Sequence, residues 1–125
     1  MIGYQTVGTN KLDKAVKFYD TLLGEIGAKR TMEETDSFVL WSKADGSPGF
    51  CVHVPHDGKK ATIGNGSMTA FHVENSVMVD KMYALAMQLG ARDEGPAGAR
   101  GDGFYAGFCR DLDGNKFNFF CMTEA

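Results

Sequence analysis

From Leu12 to Ile26 the apolar residues Leu12, Ala15, Val16, Tyr19, Leu22, Leu23 and Ile26 fall on one stripe at helical spacing, which predicts an amphipathic helix. Asn10, with Asp13 three residues on, is the expected N-cap, and Gly27 supplies a left-handed stop. A second stripe, Val79, Met82, Tyr83, Ala86 and Leu89, predicts a second helix, capped by Ser76 or Asn75 and stopped by Gly90. Strand-like runs surround the helices: Ile2–Gly8, Ala28–Glu33, Ser37–Ser42 and Phe50–Val54, then Met68–Val73, Arg92–Glu94, Phe104–Arg110 and Lys116–Met122. The order is β-α-β-β-β, twice.

The two halves align as an internal repeat. Gly27-Ala28-Lys29 matches Gly90-Ala91-Arg92 at an offset of about 63 residues, and the turn signal Asp45-Gly46 matches Asp113-Gly114 at about 68. Tyr4 falls against Met68. Between the halves, Pro55 to Gly66 is polar and rich in turn formers and reads as a linker. The segment Gly95 to Gly103 reads as a mobile loop able to cover a ligand. The expected fold class is α+β, one domain over 1–125, with module 1 at about 1–55, a linker at about 56–66 and module 2 at about 67–125.

Composition narrows the function classes. A chain of 125 residues with 43% hydrophobic and 23% charged residues is globular in character. Its net charge of −3 speaks against a phosphate-tracking surface, so nucleic acid is not an expected partner. No run of apolar residues is long enough to span a membrane, and the first residues carry no basic and apolar leader pattern, so no membrane association and a cytoplasmic location are expected. Cys51, Cys109 and Cys121 have no C-x-x-C spacing and read as buried free thiols.

The motifs Asn10-x-Leu12-x-x-Ala15-Val16-x-Phe18-Tyr19, Gly64-Asn65-Gly66 and Arg110-Asp111-Leu112-Asp113-Gly114-Asn115-Lys116, set in this duplicated order, give a sequence that resembles the glyoxalase/bleomycin-resistance/extradiol-dioxygenase (vicinal oxygen chelate) superfamily. The resemblance implies two tandem βαβββ modules forming a curved mixed β-sheet cleft for a small molecule, with helices on the outer face. It also implies, for the metal-dependent members, four His or Glu ligands from the first and last strands of the modules. Carried over through the repeat, those positions are Tyr4, Phe50, Met68 and Asn118, which suit no divalent ion: phenol and carboxamide bind weakly, thioether prefers soft ions and phenyl cannot coordinate. One-residue slips in several strands at once would turn Gln5, Cys51 or His53, Thr69 and Phe117 or Phe119 inward, and these rebuild no ligand set either.

Other candidates are few. His53 and His56 flank Pro55 and lack helical metal-motif geometry, while His72 shares the parity of Met68 and could reach the cleft rim as a base. The simplest hairpin register pairs Cys109 with Lys116, Gly107 with Asn118 and Tyr105 with Phe120, which puts Tyr105 on the Asn118 face, as a ligand contact or a half-buried strand aromatic. Glu33, Glu34 and Asp36 read as solvated turn residues. The expected ligand-binding residues are therefore Tyr4, Phe50, Met68, His72, Tyr105 and Asn118, with no metal, no cofactor and no assigned catalytic residue. The leading reading is a glyoxalase-like protein that binds a small, partly apolar organic molecule without metal. The alternatives are a metal-dependent lyase or isomerase of the glyoxalase type and a resistance-type sequestering protein. A homodimer is expected, because open sheet edges invite pairing and the resemblance implies association of modules across chains.

Overall fold

The computed structural model describes residues 1–123. The elements are β1 (Tyr4–Gly8), α1 (Leu12–Gly24), β2 (Lys29–Glu34), β3 (Phe38–Ser42), β4 (Gly49–His53), β5 (Thr69–His72), α2 (Ser76–Gln88), β6 (Arg92–Ala99), β7 (Phe104–Arg110) and β8 (Lys116–Met122). The β-α-β-β-β order thus occurs twice, as the hydrophobic pattern predicts. Two compact units meet in the chain at Ile63 and Gly64. Each holds one four-stranded mixed sheet, ordered β1-β4-β3-β2 in the first unit and β5-β8-β7-β6 in the second. In both, the first and last strands of the unit run parallel and the remaining pairs are antiparallel.

Both helices end in the same way. Gly27 (φ +86°) and Gly90 (φ +102°) adopt the left-handed conformation, which lets Ala28 N–H reach Leu23 O at 3.0 Å and Ala91 N–H reach Ala86 O at 2.9 Å. These bonds satisfy carbonyls that the helix end would otherwise leave open. The starts differ. Asn75 caps α2 by accepting from Met78 N–H at 2.9 Å. Lys11 occupies the cap position of α1 and makes no side-chain cap bond, because Asn10 is used elsewhere: its amide accepts from Ala61 N–H at 2.7 Å and donates to Ala61 O at 3.1 Å. That pair ties the polar segment after β4 back to the start of α1.

One face of each sheet is buried by its helix. In the first unit Tyr19 of α1 lies 4.8 Å from the Phe50 ring and 5.9 Å from Trp41. Asp20 of the same helix accepts from Trp41 Nε1 at 2.9 Å and pairs with the Arg30 guanidinium. That guanidinium holds the Asp20 carboxyl below its ordinary range, against the upward pull of burial. In the second unit Phe117 and Phe119 are buried, with Phe71 beside both. A side chain at Gly107 would run into Tyr83 of α2 at 3.0 Å, so the strand must be bare there for the helix to sit close.

Gly95 to Gly103 differs from its expected form. Strand β6 continues to Ala99, paired with β7 through two register shifts, and only the tip beyond it is a turn. Arg100 holds that stretch by donating to Pro96 O and, at 3.4 Å, to Ala106 O, with its guanidinium 5.4 Å from the Phe108 ring centroid. The glycines bend the strand and do not release it.

Candidate functional site

In the first sheet, Gln5 pairs with Phe50 and Thr6 with Cys51. Neighbours in register share a face, and faces alternate along a strand. Phe50, against Tyr19, therefore points to the helix, and Tyr4 points the other way. The expectation that Tyr4 and Phe50 line one surface is corrected: Phe50 is a core residue, 6% exposed. The helix-free face carries Tyr4, Thr6, Cys51, His53, Phe38 and Leu40. Phe38 and His53 stack at 5.4 Å. Burial pushes the Cys51 thiol up, with a hydrogen bond to Thr6 opposing it.

The physical reason for the Phe50 error is a single residue. The connection 43–48 between β3 and β4 is one residue longer than the connection 111–115 between β7 and β8. Carrying Asn118 back through the aligned Asp-Gly turns therefore lands on the wrong face.

In the second sheet, Ala70 pairs with Asn118 and His72 with Phe120, while Phe108 and Ala106 lie across from the same two β8 residues. The helix-free face thus carries Met68 and His72, which share parity along one strand, with Asn118 on the neighbouring strand. Tyr105 is not with them. It pairs with Cys121, and its hydroxyl donates to Asp80 of α2 at 2.7 Å; that bond leads the causes that raise its pKa. The expected register is displaced by one residue because Asp111 closes a five-residue turn. Its carboxylate accepts from Asp113 N–H and Asn115 N–H, both at 2.9 Å, so Arg110 pairs with Lys116. The aromatics on the Asn118 face are instead Phe104, Phe108 and Phe120. His72 and Phe120 lie 5.1 Å apart, and Phe104 stacks on Phe120 at 5.7 Å.

Asn118 is the polar centre of this face. It is 1% exposed, its Nδ2 lies 3.7 Å from Met68 Sδ, and its Oδ1 has no hydrogen-bond partner among the described residues. A buried carboxamide normally satisfies both ends. Charged residues of β6, β7 and β8 set a border: Glu94 pairs with Arg110 at 2.6 Å, and Lys116 sits 5.6 Å from the Phe108 centroid.

These residues do not fit a divalent metal. Among the described residues no three His, Cys, Asp or Glu side chains gather closely enough to hold an ion. The helix-free faces offer thioether, carboxamide, a thiol whose pKa is raised and imidazoles stacked on aromatic rings. Hard or borderline ions need charged oxygen, thiolate or convergent imidazole ligands.

Sequence reasoning missed an open groove of about 580 Å³ in the first unit, lined by Asn10, Leu12, Asp13, Val16, Arg30 and Val39 among others. Glu33, Glu34 and Asp36, read as turn residues, also border it. Arg30 in this groove is already paired with Asp20 and Glu33, and Lys11 lies on its lining as well.

Two βαβββ units with a helix on one sheet face and small-molecule-sized polar and aromatic chemistry on the other define a class of single-chain repeat folds. The model of the Glyoxalase/Bleomycin resistance protein/Dioxygenase superfamily matches residues 2–119, and the chain belongs to that superfamily. A glyoxalase/bleomycin resistance protein from Albidiferax ferrireducens T118 is similar at 32% identity, with a TM-score of 0.88 over 97% of this chain and 98% of that one. A glyoxalase/bleomycin resistance protein/dioxygenase family enzyme from Burkholderia phytofirmans PsJN shares the fold at 17% identity and a TM-score of 0.77, covering 96% and 97%. The lactoylglutathione lyase from Agrobacterium tumefaciens does so at 16% identity and 0.75, covering 97% and 92%. None of the curated proteins compared matches the chain.

Proposed function

We propose that the protein binds a small, partly apolar organic molecule on the helix-free face of its second sheet, without a metal ion. The observation that carries this reading is the buried Asn118 carboxamide with an unbonded Oδ1, set among Phe104, Phe108, Phe120 and His72. Flat aromatic walls with one directed polar group suit a planar ligand fixed by few hydrogen bonds. The donor set supports binding or sequestration over metal-assisted lyase or isomerase chemistry, in which an ion polarises a substrate oxygen.

A thermal-shift screen of small aromatic compounds, followed by calorimetry on wild type and Asn118→Leu, tests the site. Binding should weaken by about 1–2 kcal/mol in the variant, the loss of one buried hydrogen bond. Equal affinity in both proteins, or a ligand lodged elsewhere, would overturn the assignment. The same reading includes a homodimer joined through open sheet edges, for which light scattering should give about twice 13.6 kDa.

A further inference from the structure

The Asn118 side chain can make up to four hydrogen bonds, yet among the described residues its one side-chain partner is Met68 Sδ at 3.7 Å, a weak acceptor. Met68 itself is 41% exposed and precedes β5, so its side chain is only partly packed where it lies over the amide. An unbranched thioether with three rotatable bonds can swing away without moving backbone. On the same face the residue paired with Asn118 is Ala70, small and exposed, which leaves room beside the amide once the methionine leaves. Further along the two strands, His72 and Phe120 present rings next to that space.

We propose that Met68 is a displaceable cover on the Asn118 carboxamide, and that the ligand of this face presents a lactam-type edge, an N–H beside a C=O. The ligand N–H donates to Asn118 Oδ1 and the ligand C=O accepts from Asn118 Nδ2, so a paired contact replaces one weak N–H···S contact. Both ends of the amide are then satisfied, and the ring of the ligand lies against Phe120 and His72. A ligand with acceptors alone leaves Oδ1 as it is now, buried and unbonded, and loses the discrimination that an unmet polar group enforces. This inference rests on the ligand-binding reading of the same face and specifies which edge the ligand must carry.

The test uses two probes that differ by one methyl group, 2-pyridone and N-methyl-2-pyridone, titrated to millimolar concentration against the full-length ¹⁵N-labelled protein. Binding is followed through the Asn118 side-chain amide signal and by calorimetry. The expected result is about tenfold tighter binding of 2-pyridone, a shift of the Asn118 amide signal with that probe alone, and a gain in 2-pyridone affinity in Met68→Ala. Asn118→Leu should erase the preference between the two probes. Equal affinities, an unmoved amide signal on binding, or weaker 2-pyridone binding in Met68→Ala would each overturn the lactam-edge assignment. If other planar aromatics bind and still depend on Asn118 in that event, the binding face stands and only the edge chemistry falls. If aromatic ligands bind with no dependence on Asn118, both fall together.

Discussion

Replacing Asn118 by Leu is expected to make the unliganded protein more stable, which is unusual for a fully buried position. The side chain is 1% exposed and its Oδ1 is unbonded. An unsatisfied buried acceptor costs roughly 1–3 kcal/mol. What the substitution removes on the favourable side is one N–H···S contact at 3.7 Å, which is weak. Leucine keeps the branched shape of asparagine but is bulkier, and the partly exposed Met68 beside it can yield to the added methyl groups, so the overpacking cost stays small. The net expectation is a gain of about 1 kcal/mol, or roughly 3–6 °C in melting temperature for a chain of this length. Thermal melts and urea titrations followed by circular dichroism measure it, with Asn118→Ala as the control: it removes the same acceptor but opens a void, and should fall below the leucine variant. A loss of stability in Asn118→Leu would show that the carboxamide is fully satisfied in solution, and the reasoning that it waits for a ligand would fail. A gain would mean that this residue is kept at the expense of stability, as binding sites often are.

Other perturbations probe the scaffold. Asp20, held below its ordinary value of 3.8 by the Arg30 guanidinium, contributes stability that is present above that value and is lost as pH falls through the lower folded value; the stability gap between wild type and Asp20→Asn should therefore hold above about pH 5 and close on further acidification in urea melts. Burial raises Cys51, and burial followed by the Asp93 charge pushes Cys109 up to about 12, so both thiols should resist iodoacetamide at pH 8 in the native protein and react fully in denaturant, read by mass spectrometry, and Cys121 should be shielded by its burial alone. Gly103→Ala should destabilise by roughly 1–3 kcal/mol, because φ is +80° and the new Cβ would lie 2.7 Å from Thr123 O, as urea titration will show.

The helices and the strand order follow from the sequence because their signals are local: a stripe at helical spacing, a glycine after it, a run of β-branched and aromatic residues. Met68 and His72 come out on one face because their parity is counted within one strand, and Asn118, a position implied by the family resemblance, joins them through the parallel pairing of β5 with β8. Phe50 and Tyr105 fail for the same reason as each other. Their faces depend on how many residues the preceding or following turn consumes, and Asp111 closes its turn one residue tighter than the simplest hairpin. Asn10 carries an N-cap signature yet bonds to Ala61, a partner 51 positions away that no local pattern reveals. The glycines from Gly95 onward signal a loop, and the pairing of β6 with β7 overrides them.

The turn at 111–115 has a consequence for how the second unit can change over time. Asp111 is almost fully buried and receives two backbone N–H groups on one carboxylate oxygen, while Asn115 Nδ2 donates to the other at 3.1 Å and Asp111 N–H bonds Asn115 O at 2.9 Å. The alignment of β7 on β8 is thereby fixed from the hairpin end by five residues that lie off the helix-free face. Residues such as Phe104, Phe108 and Phe120 are free of any duty to keep the strands aligned, so substitutions there can accumulate singly without sliding one strand past the other. The hairpin is a frame whose picture can be repainted: selection, or a library restricted to that surface, can alter ligand preference while the buried side chains keep facing inward.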